Sequence, residues 1–288
     1  MELSSIRADL HLHTNVSDGT DTPEQLIEKV GKAGIEVFSA TDHDAVKAGR
    51  IIVEKLKKSD PRFIPGVEFS CRDEEGKYHV LGYGADPYDP EIEKLVEYGH
   101  SIRMKKFGSR IEGLKEQFGF SFSDAEIEEL LSLDNPGKPH LGLLMVKKGY
   151  APSKEEAIQK YINAIKVKSE YLRPEDAVKG ILSGGWIPVL AHPFYGSGDE
   201  LILGIDMEKR LARLVGYGLK GVEAFYSGFS SKMSSKMLSL ADKYGLFVTA
   251  GSDYHGVNKL VAIGDTGLEK GKECPERLRA FLETFGIR

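Results

Sequence analysis

The positions of histidines and carboxylates along the chain constrain its fold more than any other feature. Six of the eight histidines lie at or just past the carboxyl ends of predicted strands, and three carboxylates share such positions. In a chain that alternates strands and helices, the carboxyl ends of parallel strands meet at the rim where barrels place active sites. We therefore predict that nine side chains converge there as metal ligands: His11, His13, Asp18, His43, Glu68, His79, His192, Asp253 and His255.

Each of these motifs alone also has an ordinary structural explanation. His11 and His13 face the same side of a strand, but a lone pair of this kind is a weak signal. The joint pattern is stronger because six segments deliver ligand-type side chains to one rim. A catalytic ion takes about three protein ligands, so nine indicate two or three ions with a carboxylate shared between some of them.

The chemistry of these side chains selects the metal and the substrate. Imidazole and carboxylate ligands without thiolate suit divalent Mn, Fe, Zn or Co. Because the site has only three carboxylates, two or three dications leave it positively charged, and it attracts an anion. Such a site suits phosphoester hydrolysis, which predicts a metal-dependent phosphatase. The predicted catalytic residues are His11, His13, Asp18, His43, Glu68, His192 and Asp253.

Apolar segments rich in β-branched residues alternate with amphipathic helices along most of the chain. Such alternation is typical of a parallel sheet covered by helices. Seven predicted strands and frequent glycine turns favour a closed or nearly closed α/β barrel of the TIM type over an open sheet. The predicted strands are Ile6–His13, Val37–Thr41, Phe63–Phe69, Tyr78–Tyr83, Trp186–His192, Val222–Tyr226 and Phe247–Ser252.

This alternation lapses between about Glu97 and Ser169, where every segment has helical periodicity. Apolar residues recur there every three or four positions, as on one helix face: Met104, Phe107, Ile111, Leu114 and Phe118. We predict an all-helical insertion at residues 98–169, lodged in a barrel domain of residues 1–97 and 170–288. The insertion is expected to act as a substrate-binding lid.

Overall composition excludes several classes of protein. The 39 basic and 44 acidic residues leave a net charge of −5, which argues against a wholly basic nucleic-acid binder. Cys71 and Cys274 are too few for a disulfide framework and fit a reducing compartment. The first seven residues hold no signal-peptide core, and no apolar run approaches the roughly 20 residues of a membrane helix. We expect a cytoplasmic enzyme without membrane contact or an obligate protein partner.

Seven short motifs carry the predicted ligands. In chain order they are Asp9-Leu10-His11-Leu12-His13, Ser17-Asp18-Gly19, Thr41-Asp42-His43-Asp44, Gly66-Val67-Glu68, Tyr78-His79-Val80-Leu81-Gly82, Ala191-His192-Pro193 and Gly251-Ser252-Asp253-Tyr254-His255. Together they resemble the polymerase and histidinol phosphatase (PHP) family of metal-dependent phosphoesterases. Asp18 and the segment Gly137-Lys138-Pro139-His140 are similar to the small stand-alone nucleotide phosphatases of that family, whereas histidinol phosphatases tend to have histidine in place of Asp18.

The resemblance implies a distorted seven-stranded barrel with a trinuclear metal site and a nucleophilic hydroxide bridging two ions. It implies a first ion held by His11, His13, Glu68 and Asp253, a second held by Asp18, His43 and His255, and a third held by Glu68, His79 and His192. Asp42 and Asp44 are interpreted as carboxylates that orient a ligating imidazole.

Basic residues of the helical region are the candidates for substrate binding: Arg103, Arg110, Lys138 and His140. A guanidinium suits bidentate recognition of phosphate, whereas Lys106 on the same helix face is interpreted as solvated. Lys138 and His140 lie at a predicted helix start, which favours anions. The family usually has arginine where Lys138 stands.

These features predict hydrolysis of a small phosphorylated substrate, a 5′-nucleotide or a nucleoside 3′,5′-bisphosphate. A 5′-3′ exonuclease on short oligonucleotides would use the same hydrolytic site and is the main alternative. A carbon–nitrogen hydrolase of the amidohydrolase type also begins with His-x-His, but a mononuclear one has no use for Asp18, Glu68 and His79. A metal-free regulatory module would have lost ligands, and none of the nine is missing.

Overall fold

Eight strands in two sheets form the centre of the part of the chain that the structure describes. This structure, a computed structural model, describes residues 6–167, 170–196, 200–268 and 273–287. The first sheet has three parallel strands in the order β1 (Ala8–Leu12), β2 (Val37–Ala40) and β3 (Arg62–Phe63). The second has five strands in the order β4 (Gly66–Asp73), β5 (Gly76–Tyr83), β6 (Ile187–Leu190), β7 (Gly221–Tyr226) and β8 (Phe247–Gly251).

Helices pack against both sheets and make the fold a mixed α/β one. They are α1 (Pro23–Lys32), α2 (Lys47–Lys55), α3 (Pro90–Phe118), α4 (Asp124–Leu131), α5 (Lys138–Lys147), α6 (Lys154–Glu156), α7 (Pro174–Ser183), α8 (Gly204–Tyr217), α9 (Ser231–Tyr244) and α10 (Glu276–Thr284). Ser123 and Ser153 cap α4 and α6, as their sequence spacing to a following glutamate predicts. None of the described helices has both the length and the apolar character needed to cross a membrane.

Two strand pairs run antiparallel, so the prediction of a parallel sheet is wrong for this part of the fold. β4 and β5 form a hairpin around Glu74 and Glu75, and β5 also pairs antiparallel with β6. A connection of two residues can join only antiparallel neighbours. Consequently Glu68 lies near the start of β4, and His79 lies in the middle of β5, rather than at carboxyl ends.

Isolated bridges join the two sheets at the rim that carries the predicted ligands. Beside β1, the backbone N–H of His13 donates to the carbonyl oxygen of Tyr254 at 2.9 Å. After β2, the N–H of Asp44 donates to the carbonyl oxygen of Glu68, also at 2.9 Å. These two contacts bring the ligand-bearing segments of both sheets side by side, although the strand ladders themselves end at the sheet edges.

Helix α3 connects the sheets to the helical region, the name used here for residues 98–167. Asp89 caps it and Pro90 occupies its first turn, so helix begins before the predicted boundary near residue 97. Ile92 packs in the hydrophobic cluster around the sheets, whereas Phe107 and Leu114 pack in a separate cluster with residues of α4 and α5. The helical region therefore has a core of its own, and the exact domain boundaries stay a prediction.

Gly251 provides a test of how closely β8 packs on β1. A methyl group at this position would collide with Cβ of His11 and with a carboxylate oxygen of Glu223, both in fully buried residues. We expect Gly251→Ala to lower the free energy of unfolding by about 1–3 kcal/mol, the usual cost of overpacking, as measured by urea denaturation.

The matched control is Gly31→Ala. Gly31 is exposed on α1. Apart from its two chain neighbours and the nearby backbone of α1, no described atom lies within 4 Å of the added methyl group. This substitution should raise the free energy of unfolding by about 0.5–1 kcal/mol through helix propensity. A Gly251→Ala protein as stable as the unsubstituted chain would contradict the close packing of β8 on β1.

Candidate metal centre

The carboxylate of Glu68 lies at the centre of the predicted ligands. Its Oε1 atom lies 2.8 Å from Nδ1 of His79 and 3.3 Å from Nε2 of His11. The same oxygen lies 3.3 Å from Nε2 of His192. One carboxylate oxygen is therefore shared by imidazoles from β1, from β5 and from the end of β6.

The other oxygen of Glu68 connects this group to Asp18. Oε2 lies 3.0 Å from Nδ1 of His43 and 3.3 Å from Nε2 of His13. The Asp18 carboxylate lies 3.7 Å from His13, 3.8 Å from His43 and 3.2 Å from Nε2 of His255. Two carboxylates thus bracket the same pair of imidazoles.

Asp253 completes the set from the end of β8. Its Oδ1 atom lies 3.3 Å from Nε2 of His13 and 3.5 Å from Nε2 of His11. It also lies 3.5 Å from Nδ1 of His255. The structure therefore brings all nine predicted side chains together at one place.

Four overlapping groups have ligand atoms within 4.8 Å of one another. They are His13, Asp18, His43 and His255, named here the Asp18 group; His11, Glu68 and His192; His11, His13 and Asp253; and His43, Glu68 and His79. Glu68, His11 and His13 each belong to two of these groups. Such membership is expected of side chains that are shared between neighbouring ions.

Several buried atoms of the centre lie close to one another without forming a well-oriented hydrogen bond to a described residue. They are Nε2 of His11 and of His13, Nδ1 of His43 and of His192, and Oε2 of Glu68. Leaving a buried polar atom unpaired costs about 1–3 kcal/mol. Converging nitrogen and oxygen lone pairs are satisfied by a cation, and a donor set without sulfur suits Mn, Fe or Zn. The residues present fit divalent metal ions, while the number of ions and their division among the side chains stay predictions.

Electrostatics favour the metal-binding forms of Glu68 and His79, whereas the carboxylates beside His11, His13 and His43 outweigh burial and raise the pKa of those three imidazoles. Burial alone would raise the pKa of Glu68, but the imidazoles of His79, His43 and His11 hold that pKa well below its usual range. Burial lowers the pKa of His79 to about 4. An ionised carboxylate and a neutral imidazole are the ligand forms that a cation needs.

Glu223 is a buried residue of the centre that the sequence analysis missed. Its Oε1 atom lies 3.1 Å from Nδ1 of His11, and its Oε2 atom accepts a hydrogen bond from the backbone N–H of His192 at 2.8 Å. A carboxylate behind a ligating imidazole fixes its tautomer and orientation, which here leaves Nε2 of His11 facing Glu68. The signal in the sequence was a glutamate inside the apolar strand Gly221–Tyr226.

Asp253 is also held from outside the ligand group. Its Oδ2 atom accepts hydrogen bonds from the hydroxyl of Tyr226 at 2.9 Å and from Nζ of Lys259. Its φ is 57°, and that of His192 is 26°. Positive φ is uncommon for residues other than glycine and marks backbone held under strain at functional sites.

Asp42 and Asp44 lie outside the ligand groups, as predicted, but among the described residues their carboxylates accept hydrogen bonds from loop groups and from Arg103 rather than directly from an imidazole. Asp42 accepts hydrogen bonds from the backbone and hydroxyl of Thr14 and from the hydroxyl of Ser17, at 2.6–2.8 Å. Asp44 accepts two from the guanidinium of Arg103, at 2.9 and 2.7 Å. Both carboxylates fix the loops that carry ligands rather than the rings themselves.

A cleft of about 250 Å³ opens beside the metal centre. Asp18, His43 and His79 line its inner side. Six basic side chains also line it: Arg72, Lys77, Arg103, Lys106, Arg110 and Lys138. Three of the four predicted substrate-binding residues therefore face a cleft that adjoins the metal ligands.

His140 and Lys106 differ from the other basic residues of the helical region. His140 is absent from the lining of the cleft, and its Nδ1 accepts a hydrogen bond from the backbone N–H of Gly137 at the start of α5. Lys106 is not solvated as predicted, because its Nζ lies 3.5 Å from the centre of the Tyr171 ring. Burial, followed by the nearby charge of Arg110, lowers the pKa of Lys106 to about 8.

Two curated relatives that match most of the chain are phosphoester hydrolases by name. It is 28% identical to a phosphoribosyl 1,2-cyclic phosphate 1,2-diphosphodiesterase of Eggerthella lenta, over 86% of this chain and 94% of that protein. It is 27% identical to a 3′,5′-nucleoside bisphosphate phosphatase of Chromobacterium violaceum, over 86% of both chains.

A solved structure from Bifidobacterium adolescentis, assigned as a metal-dependent phosphoesterase, shares the fold. It superposes with a TM-score of 0.80 over 96% of this chain and 95% of that one, at 23% identity. The family model of the PHP domain matches residues 9–172, which include six of the nine predicted ligands. The resemblance seen in the motifs is confirmed, and the chain belongs to the PHP domain family.

Proposed function

We propose that this protein is a metal-dependent phosphatase that hydrolyses a phosphomonoester of a nucleotide, with a nucleoside 3′,5′-bisphosphate as the favoured substrate. The observation that carries the proposal is the lining of the cleft, which combines three ligands of the metal centre with six basic side chains. A substrate with two separated phosphates matches these two features. Both curated relatives named above act on phosphate esters.

The side chains divide the work between reaction and recognition. Divalent ions bound at the centre supply activation of water and neutralisation of phosphate charge. Asp18, His43 and His79 place that chemistry at the inner end of the cleft. Arg110 is the strongest candidate for the phosphate that does not react, because burial and the charge of Arg103 lower its pKa, and the structure gives it no carboxylate partner among the described residues.

The size and charge of the cleft separate the competing functions. Pockets for small molecules usually span about 300–1,000 Å³, and the cleft of about 250 Å³ lies just below that range. It therefore suits a ligand no larger than one nucleotide, which supports a mononucleotide substrate over an oligonucleotide enclosed along its length. Six basic lining residues exceed what a neutral amide substrate needs, which disfavours a carbon–nitrogen hydrolase. Phosphate release from mononucleotides, dinucleotides and trinucleotides of the same sequence tests this directly, since an exonuclease would prefer the longer chains.

Three further features belong to the same proposal. The two sheets are proposed to be the halves of a distorted barrel, which the bridges between Leu12 and Tyr254 and between His43 and Glu68 support. The helical region is proposed to be the substrate-binding lid, because it contributes four of the six basic residues that line the cleft: Arg103, Lys106, Arg110 and Lys138. A cytoplasmic location is proposed because Cys71 and Cys274 are both free, buried thiols.

Glu68 provides the first test of the metal centre. Glu68→Gln should lower the amount of metal bound per chain and reduce kcat more than about 100-fold. This loss is larger than the roughly 10- to 100-fold loss that is typical when a residue hydrogen-bonded to a metal ligand is removed. The reason is that Glu68 meets five imidazoles, so its charge supports more than one ion. Metal analysis and release of inorganic phosphate measure the two effects.

His79→Asn is the comparison variant, because His79 is a ligand at the edge of the cluster rather than its centre. It should retain more metal and more activity than Glu68→Gln. Equal losses in the two variants, or full activity in Glu68→Gln, would show that Glu68 is not shared between ions.

Arg110 provides the test of recognition. Arg110→Met removes the charge from the cleft but keeps much of the packing. Losing a charged hydrogen bond costs about 1.5–3 kcal/mol, so kcat/KM for a 3′,5′-bisphosphate should fall about 10- to 150-fold. A small aryl phosphate that does not reach α3 should lose little.

Lys105→Met is the control, because Lys105 is exposed on the same helix and absent from the cleft lining. It should leave kcat/KM for both substrates unchanged. If Arg110→Met lowered kcat/KM for both substrates equally, Arg110 would support the metal centre rather than bind the second phosphate.

A further inference from the structure

The helical region contacts the loop that carries His43 through two side chains. Arg103 of α3 binds Asp44, the residue after His43, through Nε and Nη2. Asn135, between α4 and α5, donates a side-chain hydrogen bond to the backbone carbonyl oxygen of His43. Asn135 is 1% exposed, so its hydrogen bond to His43 is buried.

A third contact reaches the loops of His255 and Asp18. Nζ of Lys154, at the start of α6, donates to Oδ1 of Asn258 at 3.1 Å and lies 3.4 Å from its carbonyl oxygen. Asn258 lies three residues after His255, and its side-chain amide donates to the carbonyl oxygen of Asp18 at 2.9 Å. Asn258 therefore connects the helical region to two ligand loops at once.

These contacts converge on one part of the centre. His43, Asp18 and His255 all belong to the Asp18 group. The opposite part has a different support, because His11 and His192 are both held by Glu223 of β7. The sheets thus contact both parts of the centre, whereas the contacts of the helical region described above all reach the loops of the Asp18 group.

We infer that the helical region is a clamp for the Asp18 group, and that Asn135, Lys154 and Asn258 are positioning residues for the ion held there. The hydrogen bonds of Asn135 and Asn258 fix the backbone at His43 and Asp18, and thereby the direction of the ligating atoms. Coupling between binding sites is reciprocal. An ion in the Asp18 group must therefore stabilise the helical region as much as that region stabilises the ion.

Titration of metal-free protein with Mn²⁺ tests the clamp without any substrate, so the result is independent of the proposed phosphatase activity. Asn135→Ala should weaken one class of Mn²⁺ sites about 10- to 100-fold, the usual effect of losing a group behind the ligands. The remaining class should keep its affinity. Equal weakening of every class, or of none, would overturn the inference.

Asp134→Ala is the matched control. Asp134 precedes Asn135 and ties the same segment to α2 through Lys47, at 2.6 and 2.7 Å, without touching a ligand loop. It should leave every class of Mn²⁺ site unchanged, since exposed ion pairs contribute about 0–1 kcal/mol. A loss as large as that of Asn135→Ala would mean that general loosening of the segment, rather than the clamp, explains the effect.

Hydrogen exchange supplies a second readout and covers a failure of Asn135→Ala to fold. Adding Mn²⁺ to the unsubstituted protein should slow amide exchange in α5 and in the segment around Asn135. Lys154→Met and Asn258→Ala should each remove much of that protection and weaken the same single class of sites. Unchanged Mn²⁺ affinity and unchanged protection in both variants would overturn the clamp, whatever Asn135→Ala does.

Discussion

The burial of one carboxylate among five imidazoles is the constraint on which the rest of this structure depends. Glu68 is 1% exposed and lies within 3.3 Å of ring nitrogens that come from both sheets. Moving an ionised carboxylate out of water costs several kcal/mol unless other charges and hydrogen bonds replace the solvent. Imidazoles alone leave lone pairs unsatisfied, which is why the same residues fit divalent cations. The fold must therefore hold these segments in register before the centre can form.

The two sheets meet this requirement through short contacts at one rim. In the β4–β5 hairpin, the strand β5 that carries His79 runs opposite to both of its neighbours, β4 and β6, and Glu68 on β4 bridges in parallel to His43. A second bridge, between Leu12 and Tyr254, aligns the remaining ligand segments. Positive φ at His192 and Asp253 shows that local backbone preference gives way to ligand placement. Glu223 then contacts His11 and the backbone of His192, while Asn135 of the helical region contacts the backbone of His43 and Asn258 contacts that of Asp18. The proposed substrate cleft and the candidate metal centre thus share supporting elements.

The sequence was sufficient to predict the nine converging side chains, because a period of two on β1 and polar residues after apolar strands are local patterns. It was not sufficient to predict the direction of β4 and β5. Their antiparallel pairing depends on a two-residue turn at Glu74 and Glu75, and neither residue is a glycine or asparagine of the kind that marks such turns in a sequence. Residues that are distant from the ligands in sequence but contact them in the fold were also missed. Lys259, Tyr226 and Asn258 meet the centre only after folding, and no spacing in the sequence connects them to their partners. The partner of Asp44 could not be predicted for the same reason, because Arg103 lies 59 residues away in the sequence.

The most direct measurement of the shared centre is electron paramagnetic resonance of the protein loaded with Mn²⁺. Two Mn²⁺ ions held by the same carboxylate, that of Glu68, would lie close enough for their spins to couple. The expected result is an exchange-coupled spectrum in the unsubstituted protein that collapses to isolated Mn²⁺ signals in Glu68→Gln. Isolated six-line signals in the unsubstituted protein at every Mn²⁺ loading would contradict a metal centre built around Glu68.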